Sequence, residues 1–127
     1  MGRLILDSGA LIAIFKDVDV HHQTIMNRLS EGSDEVVLSA ITLTESLVHA
    51  YQAGLGEIGK RQIDDLALEI IDVDQEIAIY AAQLRATNNL KLGDALISAT
   101  AILHKCTLIT FDEKLARKTL GAELLVS

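Results

Sequence analysis

Four acidic residues stand where a carboxylate could do chemistry: Asp7, Glu45, Asp94 and Asp112. Asp94 is the most telling of them. It leads into Ala95-Leu96-Ile97-Ser98-Ala99-Thr100-Ala101, a small and apolar stretch with no further charge before Lys105. An ionised group beside such a segment needs partners or a cation, because desolvating an isolated charge costs several kcal/mol. Asp7 follows the apolar run Leu4-Ile5-Leu6, Glu45 follows Val36-Val37-Leu38 by a few residues, and Asp112 follows Leu108-Ile109. Clustered carboxylates repel one another, so one of them must take up a proton or divalent cations must neutralise them. All-oxygen ligands suit Mg²⁺ or Mn²⁺. Such an ion activates a water and stabilises charge on a phosphoryl group, chemistry that requires no thiol and no aromatic ring.

Each acid also has a plain structural reading. Asp7 and Asp112 can cap the helices that follow them, and Asp94 can serve as an N-cap or a first-turn acid favoured by the helix dipole. Thr42-Leu43-Thr44-Glu45 has the form of a capping box. What sets the acids apart is their place in the pattern: Asp7, Glu45 and Asp112 come just beyond an apolar run or in the helix after it, and Asp94 opens a helix.

The elements that must position them read as follows. Residues 4–6 form a first strand, and Ser8-Gly9 breaks it before a helix over 10–15. A helix spans 21–30, closed by Gly32, and a second strand spans 35–39. A helix covers 43–52, Gly54, Gly56 and Gly59 mark a flexible connection, and 60–67 is helical. A third strand lies within 68–73, Asp74 caps a helix running to about residue 85, and 94–104 is a helix buried on several sides. The fourth strand is 107–110, a short basic helix covers 113–120, and 124–126 adds an edge strand. The strands are continuous apolar runs alternating with helices, which is the pattern of a parallel sheet covered on both faces. This places the chain in the α/β class as one domain over residues 1–127. The carboxyl ends of such strands form a single rim, so the four acids are expected to converge there.

Composition restricts what the site can hold. The chain has 127 residues, enough for one core. Its net charge of −7 attracts no phosphate backbone unless cations reverse the sign locally. Two Phe, two Tyr and no Trp argue against stacking platforms for single-stranded bases. One cysteine, Cys106, excludes an internal disulfide and a thiolate zinc site, and it reads as a buried, inert thiol. Neither a secretory segment nor a membrane-length stretch is legible, so a cytoplasmic location without membrane contact is expected. The adjacent His21-His22 point apart and chelate one ion poorly, and His49 and His104 read as packed or surface groups. Lys114, Arg117, Lys118, Arg85 and Lys91 are candidates for holding phosphates beside the acids. Residues 25–29 and 47–51 are apolar enough to line a groove for a partner helix or a dimer face.

The ordered pieces Leu6-Asp7-Ser8-Gly9-Ala10-Leu11-Ile12-Ala13, Leu43-Thr44-Glu45, Leu92-Gly93-Asp94-Ala95-Leu96-Ile97-Ser98-Ala99-Thr100-Ala101 and Leu108-Ile109-Thr110-Phe111-Asp112 span nearly the whole chain. In this set the chain resembles the PIN-domain ribonucleases, and more narrowly the VapC-type toxins of prokaryotic toxin–antitoxin pairs. The resemblance implies a three-layer α/β/α sandwich with a central parallel sheet. It implies that Asp7 and Asp94 are the main metal ligands, that Glu45 and Asp112 complete the site directly or through water, and that Ser8 and Thr110 support them by hydrogen bonds. It further implies Mg²⁺-dependent cleavage of RNA, homodimerisation and inhibition by a small antitoxin protein. Gly93 departs from the proline such toxins often carry before the aspartate, and glycine loosens that approach. Two other readings compete: a receiver-like phospho-acceptor signalling module, which shares the size and the acidic Mg²⁺ pocket, and a non-catalytic PIN-like binding domain whose acids are only caps.

Overall fold

The computed structural model describes residues 2–127. In chain order the elements are β1 (Arg3–Leu6), α1 (Ser8–Phe15), α2 (His22–Ser30), β2 (Glu35–Ser39), α3 (Ala40–Gln52), α4 (Gly56–Asp65), β3 (Glu69–Ile71), α5 (Gln75–Thr87), α6 (Leu92–Leu103), β4 (Thr107–Thr110), α7 (Glu113–Lys118) and β5 (Glu123–Leu124). The strands form one sheet in the order β3-β2-β1-β4-β5, and every neighbouring pair is parallel.

Side chains alternate across the sheet, and each face carries its own core. Ile5, Val37, Ile71 and Leu108 point to one side, where Ile77 and Ala81 of α5, Ala95 and Ala99 of α6 and Leu115 of α7 cover them. Leu4, Leu6, Leu38 and Ile109 point to the other side, against Leu11 of α1, Ile25 of α2 and Ile63 of α4. This is the three-layer α/β/α sandwich. Central strands buried on both faces have no polar face to display, which is why their sequences are unbroken apolar runs.

Strand order also fixes where a ligand can bind. The chain runs from β1 outward through β2 to β3, then returns to lay β4 on the opposite edge of β1. The direction therefore reverses between β1 and β4, and the crevice beyond their carboxyl ends is the switch point of the sheet. Receiver modules have the order 2-1-3-4-5, so the signalling alternative does not match this topology.

Besides α6, which begins at Leu92 and not at Asp94, the helix starts differ from the sequence reading in three places. Ser8-Gly9 does not interrupt the chain: α1 begins at Ser8 because the Asp7 side chain caps it, accepting from the Ala10 N–H at 2.8 Å. There is no capping box at Thr42, because α3 begins at Ala40 with Ser39 as its N-cap, bonded to the Ile41 N–H at 3.1 Å. The glycine-rich connection is mostly helix as well. Gly54 makes the turn with a φ of +75°, and Gly56 already opens α4. Gly56 is buried against the Tyr51 ring and leaves no room there for a Cβ.

Candidate metal site at the strand-order switch

The rim above β1 and β4 holds a cleft of about 460 Å³. Asp7, Glu45, Asp94 and Asp112 all line it, together with Ser8, Ile97 and Phe111. Each acid arrives by a different structural route.

Asp7 leaves the end of β1. One of its carboxylate oxygens caps α1, and the other accepts a hydrogen bond from the buried Thr110 hydroxyl at the end of β4. Thr110 Oγ1 in turn accepts from the Asp112 N–H at 3.0 Å. One buried threonine thus ties together the two strands on either side of the switch point. Asp112 repeats the arrangement of Asp7, with one carboxylate oxygen capping α7 through the Leu115 N–H at 3.0 Å. The capping reading of these two acids therefore holds, and it does not compete with the cleft, because a carboxylate has lone pairs to spare.

Glu45 sits in the second turn of α3, not the first as the capping-box pattern suggested. Its approach is set by Thr42, which is buried and donates its hydroxyl to the Leu6 carbonyl at 3.1 Å. Residues three apart share a helix face, so anchoring Thr42 to the end of β1 turns Glu45 towards the same rim. Asp94 lies in the first turn of α6, whose N-cap position is taken by Lys91 without a side-chain bond. Below it Ala95, Ile97, Ser98, Ala99, Thr100 and Ala101 are all buried, as a helix apolar on several sides requires.

Gly93 has a role that the sequence did not disclose. A Cβ at this position would overlap the Glu45 Oε2 and come within 3.2 Å of its Cδ. The bare glycine is what allows the α3 carboxylate to lie against the first turn of α6. The expected looseness of the approach is replaced by a close fit.

The electrostatics follow from this crowding. Burial lifts the Asp7 pKa above the usual carboxylate range. The hydrogen bonds from Thr110 and Ala10 oppose the rise, and the charges of Asp112 and Asp94 add to it. Burial also raises Asp94, with Asp112 reinforcing the shift and Lys91 and Lys114 opposing it. Glu45 is raised by burial and then by Asp94, against a hydrogen bond from the Ser8 hydroxyl. A cluster that resists its own ionisation gains stability from a nearby positive charge. The donor set is entirely hard oxygen, which suits Mg²⁺ or Mn²⁺. Among the described residues, no group of three or more His, Cys, Asp or Glu side chains is placed to hold a metal ion together. Mg²⁺ needs no such group, because it is commonly held by one or two carboxylates and keeps several waters. The residues present fit it on those terms.

The basic candidates are spread more widely. Lys91 and Lys114 are near enough to act on Asp94. Arg85 is exposed and donates its Nε–H to the Leu90 carbonyl at 3.2 Å, bracing the loop before α6. Arg117 and Lys118 are exposed in the last turn of α7. The two adjacent histidines diverge: His21 Nδ1 meets the Ser127 hydroxyl and His22 Nδ1 meets the Ala13 carbonyl, each at 2.7 Å. Cys106 is buried, and burial raises its thiol pKa. Missed by the sequence reading was the stacking of His21 on Phe111, both of which line the cleft. Scarce aromatics are no bar to a stack when one partner is a histidine brought in from a distant segment.

A second, more apolar groove of about 480 Å³ lies between α1, α3 and α4, lined by Phe15, Leu47, Ala50, Leu55 and Ile58 among others. Of the segments proposed as a groove, the one around Leu47–Tyr51 contributes here, whereas Ile25 is wholly buried in the core. Ser46 also lines this groove, and its hydroxyl is a buried polar atom without a protein partner. Among the described residues, no helix is long and apolar enough to cross a membrane.

Comparison with known proteins bears on the family and the fold. The family model for the PIN domain matches residues 4–119. No curated protein matches the sequence. Among solved structures, a toxin–antitoxin complex from Klebsiella pneumoniae is similar, with 28% identity, a TM-score of 0.77, and coverage of 94% of this chain and 95% of that one. VapBC2 from Rickettsia felis, solved bound to a DNA fragment from its promoter, has 20% identity, a TM-score of 0.75 and 96% coverage of both chains. FitAcB from Neisseria gonorrhoeae has 21% identity, a TM-score of 0.76, and coverage of 95% and 96%. The last two likenesses speak to the fold.

Proposed function

Since this chain belongs to the PIN-domain family, we propose that it is a metal-dependent endoribonuclease acting as the toxin of a toxin–antitoxin pair. The observation that carries this reading is the meeting of Asp7, Glu45, Asp94 and Asp112 around one cleft at the switch point of the sheet. The similarity to a toxin–antitoxin complex supports the biological setting. The whole chain, residues 1–127, works as a single cytoplasmic domain.

Asp7 and Asp94 would hold Mg²⁺ or Mn²⁺, with Glu45 and Asp112 completing the site directly or through water. When bound, the ion supplies an activated water and positive charge for attack on a phosphodiester. The chain's own residues do the positioning. Thr110 and the Ala10 N–H fix the direction of the Asp7 carboxylate, and Thr110 also fixes the backbone at Asp112. Ser8 is close enough to Glu45 to favour its ionised form. The buried face of α6 gives Asp94 a rigid base, and preorganised carboxylates need no rearrangement when charge develops. Lys91 and Lys114 put positive charge beside Asp94 where phosphates must approach, and Arg85, Arg117 and Lys118 are further candidates for holding them.

The antitoxin is a small protein. The apolar groove between α1, α3 and α4 suits an amphipathic helix. A homodimer completes the proposed assembly.

Asp94→Asn tests the mechanism, because the amide keeps the shape and removes the charge. The expected result is loss of RNA cleavage in Asp94→Asn and, separately, in the unsubstituted protein with EDTA. Full cleavage in either case would refute metal-dependent hydrolysis. A non-catalytic binding domain would instead give no heat on calorimetric titration with Mn²⁺.

A further inference from the structure

The acidic cleft has an aromatic wall with no part in the proposed hydrolysis. The His21 ring lies on Phe111 with centroids 3.9 Å apart and planes inclined by 21°. These are the only two rings among the residues that line the cleft. Phe111 sits between Thr110 and Asp112, so it is fixed by the same strand end that carries the acids. His21 comes from the loop ahead of α2 and is held on three sides. Its N–H donates to the Asp19 carboxylate at 2.7 Å, and its Nδ1 meets the Ser127 hydroxyl, which also bonds the Thr24 hydroxyl at 3.0 Å. The segment bearing Ser127 is itself secured by the Leu125 N–H on the Thr110 carbonyl and by the ion pair of Arg28 with Glu123.

This arrangement answers a problem that the acids create. Carboxylates only accept hydrogen bonds, and they repel phosphates. A cleft lined by Asp7, Asp19, Glu45, Asp94 and Asp112 cannot orient a nucleotide by charge alone. A π-face grips a base regardless of charge, and it tolerates sequence because every base has one.

We propose that His21, backed by Phe111, is the stacking platform for the unpaired nucleobase next to the phosphate being cleaved. The ligand is single-stranded RNA, and the proposal rests on the ribonuclease reading above. His21 is a positioning residue, since the reacting atoms lie with the carboxylates.

The test uses full-length protein carrying Asp94→Asn to stop turnover, and a short, unstructured, fluorescein-labelled RNA. Binding is followed by fluorescence anisotropy while a single abasic site is moved along the RNA. With His21 present, the abasic site at one position weakens binding by about 5- to 150-fold, the range expected for one base–aromatic stack. His21→Ala removes the dependence on that position, and His21→Phe restores it. A flat scan with His21 present, or the same peak in His21→Ala, overturns the platform. A flat scan alongside normal RNA cleavage by the unsubstituted protein overturns the platform alone. Absence of both binding and cleavage overturns the ribonuclease reading and the platform with it.

Discussion

Gly93→Ala separates the geometry of the site from the stability of the fold. Gly93 is the second residue of α6, in a helical conformation that alanine adopts readily. Replacing a helical glycine with alanine stabilises by about 0.5–1 kcal/mol. The new methyl group, however, falls on the Glu45 carboxylate, 3.2 Å from its Cδ and closer still to Oε2. Restoring ordinary contact, about 3.5–4.0 Å between carbons, takes a shift of about 0.3–0.8 Å at Cδ, and the closer Oε2 must move by about 1 Å. A misplacement of about 1 Å costs a catalytic site on the order of 100-fold, or about 2.7 kcal/mol of barrier. The expected result is a protein that unfolds at the same or a higher temperature, yet cleaves a fluorogenic RNA in Mg²⁺ with kcat/KM down about 100-fold. A double-mutant cycle identifies the cause. In a Glu45→Ala background the methyl group meets nothing, and Gly93→Ala should cost no further activity. Wild-type rates in Gly93→Ala, or an equal loss in the Glu45→Ala background, would refute the reasoning.

Other outcomes follow from the same contacts. Folding raises the pKa values of Asp7, Glu45 and Asp94 above their ordinary 3.8, 4.5 and 3.8. Their protonated forms therefore favour the folded state: this stability is complete below those ordinary values and is lost as pH rises through the raised ones. In EDTA the unfolding temperature should accordingly carry a component that falls with rising pH over that window. The fall should be shallower in Asp94→Asn and offset by Mg²⁺ near neutrality, and an identical pH profile for the two proteins would contradict the shift. Gly56→Ala drives a methyl group into the Tyr51 ring and breaks the 3.3 Å hydrogen bond from Tyr51 to Glu57. Its expected cost is about 1–3 kcal/mol, read as a lower urea midpoint, and an unchanged midpoint would show that the ring swings aside freely.

The sequence disclosed most where one physical rule acts alone. Val36-Val37-Leu38 and Leu108-Ile109 read as buried strands because both faces of a central parallel strand must be apolar. The shared rim of Asp7, Glu45 and Asp112 followed from their places after strands, whereas Asp94 opens a helix that comes after another helix. It was less informative where two rules compete. Ser8-Gly9 has the composition of a break, but the Asp7 cap makes it the first turn of α1. Thr42 and Glu45 match a capping box, but Ser39 starts the helix earlier, and Thr42 is spent on the Leu6 carbonyl. It was silent where the reason lies in a distant side chain. Nothing near Gly93 signals that Glu45 occupies the space a side chain would fill, and nothing near His21 signals Phe111.

The threonine link between β1 and β4 also has a consequence in time. Asp7 and Asp112 lie 105 positions apart (112 − 7), and synthesis proceeds at about 5–20 residues per second. Roughly 5–20 s therefore separate their appearance on the ribosome. Until β4 is made, Asp7 has neither Thr110 to fix its free oxygen nor Asp112 to face across the cleft. A half-made chain thus carries a capped helix and no assembled acid cluster. The order of the strands thus makes the acid cluster one of the last parts of the fold to be completed, because β4 and Asp112 are among the last segments to be made.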